Sequence, residues 1–177
     1  MKKTKIIGIF IIFGLSFLSH FIFKWLPNDI FSILFPVNES IWEHMKLIVT
    51  PVLIFSIFEY IIYRKKIIKF NNFLLSYSIS MILGIIIYLI IYLLIDYMFG
   101  HSAIIAIGLL FFIFIIVQII SYYIMNYKEI KYSNIIAIGI IILVYIIFAY
   151  LTYNPIKIDL FYDTQKKIYG IPKENID

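Results

Sequence analysis

Five apolar runs, each long enough to cross a lipid bilayer, dominate this chain. They cover about residues 6–26, 40–63, 72–97, 102–125 and 134–153. An α-helix rises 1.5 Å per residue, so about 20 apolar residues span the hydrocarbon core of a membrane. Only 14% of the residues are charged, whereas soluble domains average about a quarter. The sequence therefore predicts an all-α, polytopic integral membrane bundle of five transmembrane helices.

The five runs leave no room for a separate soluble domain. We expect residues 1–155 to form one transmembrane domain, with residues 30–35, an apolar piece too short to span, lying at the membrane interface. Residues 156–177 are predicted to form an extracytoplasmic tail with a candidate β-hairpin. Its first strand is expected within residues 156–160, where apolar and polar residues alternate, its turn at residues 163–166 and its second strand at residues 168–171.

The charges are distributed unequally between the two sides of such a bundle. Nine basic residues lie in the N-terminus and in the loops after the second and fourth helices, namely Lys2, Lys3, Lys5, Arg64, Lys65, Lys66, Lys69, Lys128 and Lys131. The positive-inside rule makes that side cytoplasmic, which places the N-terminus inside and the C-terminus outside. The net charge of +5 is thus a topology signal, so we expect a cell-membrane protein in contact with the lipid bilayer and with no nucleic acid.

The opposite side receives eight of the ten acidic residues and all three histidines. The positive-inside rule constrains Asp and Glu only weakly, so lysine bias does not account for this asymmetry. We therefore predict an outward-facing site made of acids and histidines. Because the chain has no cysteine, any metal must be held by His, Asp, Glu or backbone oxygen.

The densest run of ionisable side chains is residues 36–46, between the first two long apolar segments. If the second helix begins near Asn38, then Glu39, Glu43 and Lys46 share one face while His44 lies on a neighbouring ridge. Partial dehydration would let such groups bind a divalent cation, share a proton, or act as acid and base.

These considerations give a set of candidate residues for each role. Glu43 and His44 are the candidate catalytic acid and base. The candidate ligand-binding residues are Asn38, Glu39, Glu43, His44 and, from the first helix, His20. The candidate ligands of a divalent metal, the one cofactor considered, are His20, Glu39, Glu43, His44 and His101.

A purely structural interpretation of the same stretch competes with the functional one. Ser40 and Glu43 have the spacing of a capping box, which satisfies free amides in the first turn of a helix. Lys46 has the spacing to pair with Glu43, and Trp42 is typical of a membrane-interface belt.

The stretch Pro36-Val37-Asn38-Glu39-Ser40-Ile41-Trp42-Glu43-His44-Met45-Lys46, together with Tyr169-Gly170-Ile171 in the tail, resembles an uncharacterised family of small multi-pass bacterial membrane proteins. The resemblance extends over nearly the full length. It implies the architecture of a small membrane bundle, and it implies no chemistry.

Three functions fit these observations. The first is binding, with or without translocation, of a cation, proton or small solute at the outward-facing Glu/His site. The second is a membrane-embedded hydrolase or transferase, with or without a metal, that acts at the outer leaflet. The third is a small partner subunit that docks another membrane protein. A homo-oligomer is compatible with each of them.

Overall fold

The computed structural model describes residues 1–100 and 102–172 and is predominantly helical. Its elements in order are α1 Lys2–Trp25, α2 Asp29–Leu34, α3 Ile41–His44, α4 Lys46–Lys65, α5 Phe73–Phe99, α6 Ala103–Asn126 and α7 Ser133–Tyr153, followed by a 3-10 turn Asp159–Phe161 and the strands β1 Tyr162–Asp163 and β2 Ile168–Tyr169. Five segments are long and apolar enough to cross a membrane, with α3 and α4 together forming one of them. Within the described residues the prediction of an all-α bundle is confirmed, with five helices that are long and apolar enough to span a membrane.

The second spanning segment, α3 with α4, is the centre of the bundle. In its most apolar stretch of 18 residues, 61% of the residues are buried, compared with 17–33% in the corresponding stretches of the other four long apolar helices. Helix α1 contacts α4 and α6, and α5 contacts α4, α6 and α7. The outward faces of the peripheral helices are lined by large apolar side chains, as expected of surfaces in contact with lipid.

Helix α1 approaches the core most closely at Gly8. A Cβ atom placed there would lie 2.5 Å from Cζ of Phe55 and 2.4 Å from Nε2 of Gln118, both of which are buried. At Gly14, on the same helix, a Cβ atom would meet nothing within 4 Å. Gly8 therefore sets the distance between α1 and its neighbours.

Gly8→Ala is expected to destabilise the protein by about 1–3 kcal/mol through overpacking, even after the gain in helix propensity that any Gly→Ala change brings. Gly14→Ala shares that gain and is expected to be neutral or stabilising. Unfolding of both variants in mild detergent measures the difference. Equal stabilities would show that α1 does not pack against Phe55 as described.

The segment between α1 and α4 is shaped by two polar caps. The side chain of Asn28 accepts a hydrogen bond from the Phe31 amide at the start of α2, and that of Ser40 accepts one from the Glu43 amide at the start of α3. Because Ser40 has extended backbone angles, the helix begins at Ile41 and not near Asn38. Glu39 therefore lies before the helix, and it does not share a helical face with Glu43.

The tail folds back onto residues 36–40 as a small antiparallel hairpin. Tyr162 pairs with Tyr169 and Asp163 with Ile168. The first strand was expected within residues 156–160, but that stretch holds bends and the beginning of the 3-10 turn. Gly170, at φ +69°, ends the hairpin where a Cβ atom would approach the Thr152 carbonyl oxygen to 3.1 Å.

Candidate metal centre

Three of the predicted residues converge at one end of the bundle. His20 comes from the last turns of α1, Glu39 from the loop before α3, and His44 from the end of α3. Glu39 Oε2 lies 3.3 Å from Nε2 of His20 and 3.3 Å from Nε2 of His44. The two Nε2 atoms are also 3.3 Å apart. Within the described residues this is a group of three side chains placed to hold one metal ion.

The three equal distances match one face of a tetrahedral coordination site. Zinc binds histidine nitrogen and carboxylate oxygen at about 2.0 Å, so ligand atoms in a tetrahedral site lie about 3.3 Å apart. In an octahedral site with bonds of about 2.1 Å, such as magnesium prefers, neighbouring ligand atoms lie about 3.0 Å apart. The distances within the triangle of His20, Glu39 and His44 are thus compatible with one face of a tetrahedral metal site.

Hydrogen bonds or a cation can satisfy the three atoms, depending on the histidine tautomers. If both Nε2 atoms carry protons, each histidine donates a hydrogen bond to Glu39 Oε2. If neither carries a proton, two nitrogen lone pairs lie beside the carboxylate oxygen, and a cation bound by all three atoms would make these contacts attractive.

The site is partly accessible, with 28%, 33% and 26% of the side chains of His20, Glu39 and His44 exposed. Hydrogen bonds from His20, which has the larger effect, and from His44 hold the pKa of the Glu39 carboxyl far below its usual value. Burial acts in the opposite direction and is outweighed. The Glu39 carboxyl is therefore ionised at neutral pH. Nδ1 of His20 is buried and has no hydrogen-bond partner within residues 1–100 and 102–172.

The tail hairpin fixes the backbone that carries Glu39. The Glu39 amide donates to Oδ2 of Asp163 at 3.0 Å, and Oδ1 of Asp163 accepts the amides of Gln165 and Lys166. Asn38 donates to the Gly170 carbonyl at 2.8 Å and accepts from the Ser40 amide. The side chain of Asn38, a predicted ligand-binding residue, therefore joins the two parts of the chain and does not face the triangle of ligand atoms.

Glu43 lies outside the cluster that the sequence placed it in. Its carboxylate accepts hydrogen bonds from the Val37 amide at 3.0 Å and from Thr152 at 2.8 Å, and it forms an ion pair with Lys46. Both members of the pair are fully buried, and Lys46 also donates to the Ser32 carbonyl at 2.7 Å. Glu43 thus joins α3, α4 and α7, which leaves it no free oxygen for a metal or for catalysis.

Two further sequence interpretations have different outcomes. The capping box is half formed, because Ser40 caps the Glu43 amide while the Glu43 carboxylate turns to Val37. His101, a predicted metal ligand, lies outside the described residues.

Two cavities lie beside the triangle. A cavity of about 300 Å³, here called the inner cavity, lies among α1, α4, α5 and α6, is mostly apolar and is lined by all three residues of the triangle. One of about 200 Å³, the outer cavity, lies between the end of α1, residues 36–39 and the hairpin. His20 and Glu39 line both cavities.

Asp163 and Thr152 are important to the site but were not among the predicted residues. Asp163 is completely buried and holds the Glu39 amide, and Thr152 of α7 bonds to both Glu43 and Lys46. The turn-like stretch that begins at Asp163 indicated that its side chain would accept local amides. Its contact with Glu39 joins residues more than a hundred positions apart, which no sequence spacing indicates.

The chain belongs to the family described as "Family of unknown function (DUF6512)", whose model matches residues 1–171. Comparisons with curated proteins and with solved structures gave no match.

Proposed function

We propose that the protein is a membrane-embedded, metal-dependent hydrolase whose centre is one zinc-like ion held by His20, Glu39 and His44. The observation that carries the proposal is the triangle of ligand atoms with three sides of 3.3 Å. Two histidines and a glutamate are a ligand set that catalytic zinc sites use, with the fourth position left for water or substrate. An ion in such a site activates water and polarises a carbonyl or phosphoryl oxygen.

The surroundings of the triangle support a site with an open position. The inner cavity adjoins all three ligand residues, so a fourth ligand would enter from it. A structural zinc site, by contrast, is closed by four protein ligands. The volume of the inner cavity, about 300 Å³, is at the lower end of the range for ligand pockets, about 300–1,000 Å³.

The interior of the bundle supports reaction over translocation. Between the triangle and the far end of the bundle, α4, α5 and α6 fill the centre with apolar side chains that have no exposed surface. They are Ile48, Val52, Met81, Ile113, Phe114 and Val117. Buried polar side chains such as Gln118 and Ser121 lie farther along the same helices, but the apolar layer separates them from the triangle in the described part of the bundle. We therefore prefer a site that is reached from one side of the membrane.

The distribution of lysines supports the placement of this site. His20, Glu39 and His44 lie at the end of the bundle away from the lysine-rich loops. By the positive-inside rule the centre then faces the outside of a bacterial cytoplasmic membrane.

Metal content tests the proposal directly. Protein purified in mild detergent without chelator and equilibrated with zinc is expected to hold close to one zinc ion per chain by mass spectrometry. Glu39→Gln, His20→Ala and His44→Ala are each expected to lose most of it, because two ligands hold zinc far more weakly than three. Glu129→Gln, the same chemical change at an exposed position in the loop before α7, serves as the control.

The result that would overturn the proposal is equal zinc content in wild type and in the three ligand variants, provided that thermal unfolding shows the variants to be folded. Absence of zinc and of other transition metals from folded wild-type protein at saturating concentrations would overturn it as well.

A further inference from the structure

We infer that the substrate of this site is an anionic single-chain amphiphile whose hydrocarbon chain occupies the inner cavity and whose headgroup occupies the outer cavity. The inference rests on the proposed function, since it names the substrate class of the same centre. The observation behind it is that a mostly apolar cavity and a second cavity lined by two lysines have His20 and Glu39 of the triangle in common.

The inner cavity suits a hydrocarbon chain. Away from the metal ligands its walls are mainly aliphatic and aromatic, formed by side chains such as Phe17, Leu47, Tyr88 and Leu110. A hydrocarbon chain that binds there moves out of water, or out of the surrounding lipid, and contacts an apolar protein surface instead. The volume of about 300 Å³ is suited to one chain rather than two.

This cavity opens sideways between α1 and α6. Phe10 and Phe13 of α1 pack against Phe111 of α6, which closes the bundle at that level. Nearer the metal centre, cavity walls are formed by Phe17 and Ile107, which are 45% and 42% exposed and so belong to the outer surface as well. A lipid chain can therefore enter from the bilayer without crossing the aqueous phase.

The outer cavity suits an anionic headgroup. Lys24 at the end of α1 and Lys166 in the hairpin turn line it. Two acids line it as well. Asp163 is buried and accepts three backbone amides, which neutralise part of its charge, and the charge of Glu39 would be balanced by the ion that it holds in the proposed centre. Lys24 and Lys166 would then attract a phosphate group.

The position of the triangle between the two cavities selects the bond that reacts. With the phosphate beside Lys24 and Lys166, the metal centre lies next to the ester that joins the chain to the headgroup. His20, Glu39 and His44 would hold the ion, which would activate a water molecule for attack on the acyl carbonyl carbon. The bond from that carbon to the headgroup oxygen would break, and the headgroup oxygen would take up the proton that the water gives up. One water is consumed, and a fatty acid and the headgroup alcohol are released.

Zinc-loaded protein in detergent micelles tests this inference with two monoacyl lipids of the same chain, monoacyl phosphatidylglycerol and monoacyl phosphatidylcholine. We expect fatty acid release with kcat/KM about tenfold higher for the anionic lipid at low salt, a preference that decreases as salt screens the lysines. Glu39→Gln is expected to abolish release. The soluble ester 4-nitrophenyl acetate reports the metal chemistry without the lipid.

The possible outcomes separate the two proposals. Hydrolysis of 4-nitrophenyl acetate with no release of fatty acid from either lipid would overturn the amphiphile and leave the hydrolase. Equal rates on both lipids would overturn the anionic headgroup, and release of the phosphate-bearing headgroup without fatty acid would overturn the acyl ester. Zinc-loaded protein that hydrolyses none of the three would overturn both proposals.

Two pairs of variants test the two cavities separately. Lys24→Gln with Lys166→Gln is expected to reduce the preference for the anionic lipid about five- to tenfold, whereas Lys157→Gln, an exposed charge on the same tail, is expected to leave that preference unchanged.

Ala106→Phe narrows the inner cavity and is expected to shift the preference of the protein to lipids with shorter hydrocarbon chains, without loss of zinc. Ile104→Phe, on the exposed side of the same helix, is its control. A chain-length preference unaltered by Ala106→Phe would contradict the location of the chain.

Discussion

Glu43→Gln is expected to lower the free energy of unfolding by about 3–5 kcal/mol, because it leaves the ammonium group of Lys46 buried without a counter-ion. Lys46 and Glu43 are 0% and 2% exposed, and neither can turn to solvent when its partner is lost. Lys46→Met is expected to cost a similar amount, since it leaves the carboxylate unpaired. The double variant Glu43→Gln with Lys46→Met is expected to lose less stability than the two single variants lose together. A double-mutant cycle, with the free energies of unfolding measured in mild detergent, would give the difference.

The control for this pair is Lys65→Met, at an exposed position in the last turn of the same helix. We expect it to change stability by no more than about 0.5 kcal/mol, as is usual for surface substitutions. Single variants at Glu43 and Lys46 that are as stable as this control would show that the buried pair does not hold α3, α4 and α7 together.

The spanning helices could be predicted because hydrophobicity and length decide them locally. Each apolar run exceeds the thickness of the hydrocarbon core, and in lipid a backbone must satisfy its own hydrogen bonds, which leaves the helix as the solution. The predicted and observed bounds differ mainly at the ends. Helix α1, for example, begins at Lys2 rather than near residue 6, because Lys5 is buried against neighbouring helices.

The site could be predicted only in part. His20, Glu39 and His44 were recognised because ionisable groups near the membrane are costly unless they have a use. Glu43 was grouped with them on the assumption of a helix starting near Asn38, but the cap at Ser40 delays the helix to Ile41. That delay turns the Glu39 side chain to the histidines and the Glu43 side chain to Lys46.

The remaining contacts depend on tertiary structure. Asp163 reaches the Glu39 amide and Asn38 reaches the Gly170 carbonyl only because the tail returns to the loop before α3. The same contact unites the two stretches on which the family resemblance was based, residues 36–46 and 169–171. The two motifs, which are far apart in the sequence, thus form one structural unit that supports the backbone of Glu39.

A second buried ion pair at the opposite end of the bundle leads to the other large stability prediction. Lys5 of α1 lies 2.8 Å from Oε2 of Glu59 in α4, and the hydroxyl groups of Tyr77 and Tyr63 donate to the two oxygens of Glu59 at 2.6 and 2.7 Å. Lys5 also donates to Ser121 of α6 at 2.8 Å. The pair thereby ties α1 to α4, α5 and α6.

Glu59→Gln is expected to lower the free energy of unfolding by about 3–5 kcal/mol, because the amide keeps the shape of Glu59 but leaves Lys5 buried without a negative partner. The NH₂ group of the introduced glutamine would also place a hydrogen-bond donor opposite a tyrosine hydroxyl that donates to Glu59 in the wild type. Unfolding in mild detergent beside the exposed Glu129→Gln measures the effect.

Zinc content per folded chain is expected to stay at the wild-type value, since the pair lies at the far end of the bundle from His20 and His44. Loss of zinc from folded Glu59→Gln protein would show that the two ends are coupled, and stability equal to that of Glu129→Gln would show that the Lys5–Glu59 pair does not hold the helices together.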